Sequence, residues 1–405
     1  MGKPHNRNLI RLALAGALLL LAACGGGSGS GKAPNPEPPA AYRYQAPADT
    51  GDSWAVAAAG AEGVSVPLIE GMMNAIAAGE YPIVDSVAIA YNGKLILHET
   101  TRKQLDQFDD QVGNVDPALH AVFSVSKSIA SIAMGINIDQ GNISGVDVPY
   151  LSLFPYASYE NWDERKNDMT LHDVLSMRLG LDWNEFDPPY SDPGNQMLVF
   201  YANHVDFSKS LLDLPLVAAP GSQFAYNTAA AVSLGQAIEN TAPLALIDFG
   251  STYLLAPLGI GQVEALLTPT GLPDLGRGLY FTTRDLLKFG QLYLDGGHWN
   301  QQQLVSSAWV AASTQAYTPL SWSNPASMDW QLTGYGYLWW TGYFEFAGRQ
   351  YDSFAARGYG QQWLMVVPEL KLAVAVYSHA WEERSDQANQ VFNLIRRFVL
   401  PSLPT

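Results

Sequence analysis

The sequence is poor in cysteine and in positive charge, and each shortage excludes a class of protein. Its 405 residues include one cysteine, which rules out an intramolecular disulfide and a zinc site built from several cysteines. Lysine and arginine together number 22 against 38 aspartates and glutamates, so the formal net charge is -16. Nucleic acid is therefore not an expected partner, because phosphate binding needs clustered basic side chains.

Three common catalytic and phosphate-binding motifs are also absent. The chain has no Gly-x-Ser-x-Gly nucleophile elbow, no His-Glu-x-x-His zinc motif and no Gly-Lys-Ser/Thr phosphate loop. We therefore expect neither a metal site nor a cofactor. With 48% hydrophobic and 11% aromatic residues, the composition is that of a folded protein rather than a disordered one.

A signal segment is predicted at the N-terminus. Three basic residues precede an apolar run over residues 12–21, which has the length of a signal-peptide core. It is shorter than the roughly 20 residues that span a bilayer. The run ends in Leu-Ala-Ala-Cys at residues 21–24, which resembles the lipobox of bacterial lipoproteins. The resemblance implies cleavage before Cys24 and a lipid on its thiol; the alternative is a secretory signal with an incidental cysteine.

The chain is predicted to have three parts. Residues 1–23 form the lipoprotein signal peptide, residues 24–50 a lipid-anchored tether rich in Gly, Ser and Pro, and residues 51–405 the folded domain. Residue 25 is Gly rather than Asp, which by the sorting rule for Gram-negative lipoproteins implies the outer membrane. We therefore expect the protein in the bacterial cell envelope, bound to the membrane through its lipid on the periplasmic face.

Strand patterns cluster at the two ends of the folded domain, and helix patterns occupy its middle. Strands are predicted at 86–91 and 94–98 around Asn92-Gly93, and at 335–346, 363–367 and 372–377. Helices are predicted at 65–78, 124–138, 171–177, 229–239 and 284–294, and after Ser385. These patterns predict an antiparallel sheet lobe from about 51–123 and 330–405, an inserted helical lobe at about 124–329, and a cleft between them.

Ser124 and Lys127 form the only Ser-x-x-Lys match in the chain, at the start of an apolar helix. Residues three apart on a helix lie on one face, with Cβ atoms about 5–6 Å apart. The hydroxyl can therefore reach the amine, and burial and the positive helix end both lower a lysine pKa. The N–H of Ser124 is also an oxyanion donor. Alternatively, Ser124 or Ser126 only caps the helix and Lys127 is solvated.

Residues 123–129, Phe-Ser-Val-Ser-Lys-Ser-Ile, resemble the active-site helix of the class C β-lactamase-like serine hydrolases. That group includes penicillin-binding proteins, class C β-lactamases, family VIII esterases and 6-aminohexanoate dimer hydrolases. Further segments resemble the family in the same order: 169–183, 220–227, 284–292 and 358–370. The likeness spans about 80–400. It implies an α/β (α+β) fold of the β-lactamase/transpeptidase type, an antiparallel sheet flanked by helices with an inserted helical lobe.

The resemblance also implies roles for individual residues. Ser124 becomes the nucleophile, Lys127 its general base, and Tyr226 the group that moves a proton between nucleophile and leaving group. The alternative for Tyr226 is a core tyrosine. The second oxyanion N–H would come from Tyr359, which follows Gly358.

Two motifs depart from the family pattern. Thr228 stands where the family has Asn or Ser, so it offers a hydroxyl but no amide donor to a substrate. Residues 356–358 read Ala-Arg-Gly where Lys-Thr-Gly or His-Thr-Gly is usual. Arg357 either supplies a cation to the site or points into solvent. Loss of the usual lysine argues against β-lactam turnover.

The sequence therefore predicts a serine hydrolase that cleaves a small ester or linear amide through an acyl-enzyme, without a metal or cofactor. The alternatives are a β-lactamase, a D-amino acid peptidase, or a non-catalytic penicillin-binding-like envelope receptor. A Pro-containing loop with Asp182, Asp187 and Asp192 is expected to cover the site, with its acids in solvent. The oligomeric state is not determined by the sequence.

Overall fold

The computed structural model describes most of the predicted folded domain. The described residues are 10–12, 41–102, 108–112, 116–320, 327–382 and 385–404. Cys24 lies outside them, as do most of the predicted signal peptide and tether. The cleavage site, the lipid anchor and the location in the envelope therefore stay predictions.

The elements are numbered in chain order. The strands are β1 (Ile10–Leu12), β2 (Val84–Tyr91), β3 (Lys94–Thr100), β4 (His120–Ala121), β5 (Val263–Ala265), β6 (Leu279–Phe281), β7 (His298–Trp299), β8 (Gln302–Gln303), β9 (Thr318–Pro319), β10 (Trp330–Tyr335), β11 (Trp340–Phe346), β12 (Arg349–Gly358), β13 (Gln362–Val367) and β14 (Leu372–Ser378). The helices are α1 (Val66–Ala77), α2 (Val125–Asp139), α3 (Leu171–Leu175), α4 (Gln196–Asn203), α5 (Phe207–Leu212), α6 (Thr228–Thr241), α7 (Leu246–Gly250), α8 (Thr283–Leu294), α9 (Ser307–Ser313) and α10 (Ser385–Leu394).

The main sheet is antiparallel and joins both ends of the folded domain. Its strand order is β3-β2-β14-β13-β12-β11-β10-β9. The late strand β14 pairs with the early strand β2, with Val376 opposite Val87. The sheet thus takes its strands from both ends of the folded domain, as the strand patterns predicted, except that β9 lies in the segment predicted as the helical lobe. A smaller sheet of order β1-β5-β6-β4 lies beside the start of α2.

The predicted hairpin at the domain's start is present. Asn92 and Gly93 have φ values of 49° and 82°, the left-handed conformation that a two-residue hairpin turn requires at both central positions. Asn is among the few residues other than glycine that adopt it readily.

The single strand predicted at 335–346 is wrong, because β10 ends at Tyr335 and β11 begins at Trp340. The two strands pair with each other, and the residues between them turn towards the helices. There the carbonyl of Leu338 accepts a hydrogen bond from Ser128 of α2 at 2.6 Å, and the hydroxyl of Tyr337 lies 2.8 Å from His172 Nδ1. Contacts with distant segments thus override the strand propensity of this aromatic run.

Helices cover both faces of the sheet. Trp363 and Leu364 are neighbours in β13, so their side chains point to opposite faces. Trp363 packs on Phe392 of α10, with ring centroids 4.8 Å apart. On the other face, a Cβ on Gly290 of α8 would lie 2.9 Å from Leu364. Helix α8 therefore packs on the sheet, although it belongs to the segment that we predicted as the helical lobe.

Helix α2 is buried over almost its whole length. Its residues from Val125 to Asn137 are all buried, so it lies in the interior between the sheet and α6. The buried residues include polar ones, among them Lys127 and Ser128, so this helix carries hydrogen-bonding side chains into the interior. Within the described ranges, none of the helices combines the length and the apolar composition that a membrane-crossing helix needs.

Candidate active site

Ser124 lies at the junction between β4 and α2, directly after a strained residue. Phe123 has a φ of 47°, which an aromatic residue adopts only when its surroundings enforce it. Its ring contacts Tyr359 and Trp381, with centroids 5.5 and 5.8 Å away. The N–H of Ser124 has no hydrogen-bond acceptor among the described residues. At this turn, both the hydroxyl and the N–H of Ser124 are therefore placed where a bound molecule could contact them.

Lys127 is buried and in direct contact with Ser124. Its Nζ lies 2.8 Å from Ser124 Oγ, 2.9 Å from Thr228 Oγ1 and 2.8 Å from the carbonyl oxygen of Gly276. The residue is 1% exposed, so it is not the solvated lysine of the alternative interpretation. Burial lowers the pKa of Lys127 from 10.5 to about 8, although the negative charge of Glu185 opposes this shift. The amine is therefore neutral often enough to accept a proton near neutral pH.

Tyr226 lies between two parallel rings beside Lys127. Its ring is stacked on Phe186 at 5.4 Å and on Trp340 at 5.6 Å, and the residue is 7% exposed. Lys127 Nζ lies 4.9 Å from the centre of the tyrosine ring. Asn227, the next residue, accepts a hydrogen bond from Ala230 N and so caps α6. The helix start thus holds Tyr226 at the site.

The residues 356–358 form the end of β12, next to the turn that carries Ser124. A Cβ on Gly358 would lie 2.2 Å from the carbonyl oxygen of Val122, so only glycine fits there. The guanidinium carbon of Arg357 lies 5.5 Å from the centre of the Trp363 ring. Tyr359 donates a hydrogen bond from its hydroxyl to the carbonyl of Trp381 at 2.6 Å.

Two cavities meet at Ser124, and both are lined by Ser124, Tyr190 and Tyr359. The first, the Arg277 cavity, has a volume of about 140 Å³ and is also lined by Phe108, Phe123, Met197, Leu198, Thr228 and Arg277. The second, the Arg357 cavity, has a volume of about 250 Å³ and is also lined by Phe186, Tyr226, Trp340, Arg357 and Gly358. Open space thus extends to either side of the Ser124 hydroxyl.

The predicted covering loop borders the site through Phe186 and Tyr190. Its aspartates Asp182, Asp187 and Asp192 are exposed.

Glu185, in the same loop, is a buried carboxylate that the sequence interpretation missed. It is 2% exposed. Its Oε2 accepts hydrogen bonds from Trp183 Nε1 at 2.7 Å and Thr228 N at 3.0 Å, and its Oε1 accepts from the Tyr190 and Thr228 hydroxyls. The one feature of the sequence that could have indicated its burial is its position among aromatic residues in an otherwise polar loop.

The side chains around Ser124 differ from those that usually bind a metal ion. In the part of the chain that the structure describes, no group of three or more His, Cys, Asp or Glu side chains is placed to hold a metal ion. The arrangement brings together a hydroxyl, a buried amine and a phenol ring, on Ser124, Lys127 and Tyr226.

The sequence is similar to a known enzyme family. A family model described as Beta-lactamase matches residues 83–395. A 6-aminohexanoate-dimer hydrolase from Paenarthrobacter ureafaciens is 28% identical over 237 residues, which cover 53% of this chain and 58% of that protein. The match thus spans less than two thirds of that relative's length.

Solved structures share the fold. A penicillin-binding protein homologue from Pyrococcus abyssi, octameric in its structure, has a TM-score of 0.58 at 18% identity, over 81% of this chain and 76% of that one. EstCE1, a hydrolase with promiscuous acyltransferase activity, has a TM-score of 0.58 at 18% identity, over 80% of this chain and 97% of that one. The β-lactamase/transpeptidase-like fold that the sequence predicted is confirmed. Because the family model covers more than half of the chain, the protein belongs to the beta-lactamase family of serine hydrolases.

Proposed function

We propose that the protein cleaves a linear ester or amide through an acyl-enzyme formed on Ser124. The observation that carries this proposal is the 2.8 Å contact between Ser124 Oγ and Lys127 Nζ, because Lys127 is buried and burial lowers its pKa to about 8. A neutral amine at hydrogen-bond distance from a hydroxyl is what general-base activation of a serine requires.

The steps follow from the positions of the groups. Lys127 takes the proton of Ser124 as the oxygen attacks the carbonyl carbon, and the negative charge develops on the carbonyl oxygen. The N–H groups of Ser124 and Tyr359 are the proposed donors to that oxygen. The proton that Lys127 took from Ser124 then passes through Tyr226 to the leaving oxygen or nitrogen as the carbon–leaving-group bond breaks, so Lys127 is neutral again. Water attacks the acyl-enzyme and gives its proton to Lys127. That proton returns to the Ser124 oxygen as its bond to the acyl carbon breaks and the acid is released.

The substrate class is proposed from the relative and from the cavities. The curated relative is named for the 6-aminohexanoate dimer, a linear amide. Aromatic rings on both sides of Ser124 suit an extended aliphatic or aryl substrate. The Ala-Arg-Gly at 356–358 lacks the lysine or histidine of the usual motif. A β-lactam is therefore the less favoured substrate.

The test compares two substrates and one variant. Purified full-chain protein is expected to cleave p-nitrophenyl butyrate much faster than nitrocefin, and a fluorophosphonate probe is expected to label it. Ser124→Ala should abolish hydrolysis and labelling while circular dichroism stays unchanged. Equal labelling of Ser124→Ala would refute the mechanism, and a preference for nitrocefin would refute the ester and linear-amide assignment. A folded wild-type protein without hydrolysis or labelling would support an envelope receptor instead.

A further inference from the structure

A chain of hydrogen bonds runs from the covering loop to the nucleophile. Glu185 contacts the Thr228 hydroxyl, which contacts Lys127 Nζ, which contacts Ser124 Oγ. Glu185 and Lys127 are both almost completely buried. The proposed mechanism gives a role to the lysine and the serine, and it leaves the carboxylate and the threonine hydroxyl unexplained.

The direction of each hydrogen bond follows from counting donors. A carboxylate only accepts, so the Thr228 hydroxyl donates to Glu185 and offers its lone pairs to Lys127. A neutral amine has two N–H donors and one lone pair. The carbonyl oxygen of Gly276 also only accepts, so it takes one N–H and Thr228 takes the other. The one lone pair of Lys127 is then left for the Ser124 hydroxyl.

We propose that Glu185 is a positioning residue: it sets the donor-to-acceptor direction of these hydrogen bonds and thereby points the lone pair of Lys127 at Ser124. The inference rests on the proposed function, because it concerns how Lys127 serves as the base. Glu185 acts through Thr228 and touches no reacting atom. Its other partners, Trp183 and Tyr190, hold the carboxylate in place.

Replacing the carboxylate of Glu185 by an amide reverses the donor-to-acceptor direction of the hydrogen bonds that link it to Lys127. Trp183 Nε1 and Thr228 N both donate to Oε2, so in Glu185→Gln the amide oxygen must occupy that position. The amide NH₂ group then faces the Thr228 hydroxyl and donates to it. The threonine hydrogen turns towards Lys127 and occupies the lone pair that the nucleophile needs.

The charges that face Lys127 give a competing explanation that can be separated. Glu185 and Asp274 raise the pKa of Lys127, and Arg277 lowers it. If Glu185 acted only by its charge, Glu185→Gln would lower the pKa of Lys127. The acid limb of the pH–rate profile would then move to lower pH, and the plateau at high pH would stay.

The first experiment measures kcat and KM of full-chain Glu185→Gln with p-nitrophenyl butyrate between pH 6 and 9.5. We expect kcat on the high-pH plateau to fall about 100-fold or more, the usual contribution of a general base, with KM changed less than about threefold. The matched control is Asp182→Asn, which makes the same chemical change in the same loop at an exposed position; it should keep the wild-type kcat. A plateau equal to that of the wild type overturns the proposal.

The second experiment is a double-mutant cycle through Thr228, which also covers a failure of Glu185→Gln to fold. Thr228→Val removes the hydroxyl at constant shape and should lower kcat as Glu185→Gln does. Thr228→Ser keeps the hydroxyl and should retain at least about tenfold more activity than the valine variant. In the Thr228→Val background, Glu185→Gln should cost less than about threefold, because its path to Lys127 is gone. Additive losses overturn the proposal.

Ser124→Ala separates this inference from the proposed function. If Ser124→Ala keeps its activity, the acyl-enzyme mechanism fails whatever Glu185 does. If Ser124→Ala is inactive and Glu185→Gln keeps the wild-type kcat, only the role of Glu185 fails.

Discussion

The proposed mechanism predicts that the activity rises steeply with pH up to about 8, because in it Lys127 accepts a proton only when it is neutral. Its pKa is lowered from 10.5 to about 8. The neutral fraction is then about 1% at pH 6, about 10% at pH 7 and about 90% at pH 9. The value of kcat/KM should therefore rise roughly tenfold per pH unit below 8 and level off above 9.

The same shift has a consequence for stability. A lysine whose pKa is lower in the folded than in the unfolded protein opposes folding when it is charged. Burial is the main cause for Lys127, and Arg277 adds to it. Since one pKa unit corresponds to about 1.4 kcal/mol, the penalty is roughly 3 kcal/mol below pH 8. It decreases as the pH rises from 8 to 10.5, the ordinary pKa.

The assay is initial-rate hydrolysis of p-nitrophenyl butyrate from pH 6 to 9.5, with Ser124→Ala as the blank for spontaneous hydrolysis. A second arm uses Arg277→Gln, which removes a positive charge that lowers the pKa of Lys127. The acid limb of kcat/KM should move to higher pH in this variant. A flat profile between pH 6 and 9, or a limb that moves to lower pH in Arg277→Gln, would refute the reasoning.

Three further predictions concern single positions. Gly358→Ala should lower kcat/KM about 100-fold, because the new Cβ would meet the carbonyl of Val122 at 2.2 Å and shift the turn before Ser124. The control is Gly261→Ala, where a Cβ meets open space. Equal activity of the two variants would contradict this prediction. Arg357→Ala should raise KM for an amide with a carboxylate near the scissile bond more than for neutral p-nitrophenyl butyrate. Equal changes in KM for both would exclude a carboxylate role. Cys24→Ala should abolish metabolic labelling with palmitate, and persistent labelling would disprove the lipid anchor.

Local patterns were sufficient to predict much of the fold. The turn at Asn92-Gly93 and the helix that follows Ser124 depend on interactions within a few residues, so the sequence predicts them correctly. The strand break after Tyr335 was missed, because contacts of Leu338 and Tyr337 with helices far away in the chain decide it.

The site was predicted unevenly for the same reason. Ser124 and Lys127 are one helical turn apart, so the sequence alone brings them together. Tyr226 was assigned through a family resemblance, and only its packing between Phe186 and Trp340 puts it beside the lysine. Arg357 had two open alternatives, and the structure places its guanidinium near Trp363 at the border of the Arg357 cavity.

The sequence by itself determined the absence of disulfides, the acidic charge, the Ser-x-x-Lys pair and the clustering of strands at the two ends of the domain. These are properties of composition or of residues close together in the chain. Only the tertiary structure decided that Glu185 is buried and bonded to Thr228, 43 residues later. Burial and hydrogen bonding across such a distance depend on how the loop folds over α6, and no local pattern records that.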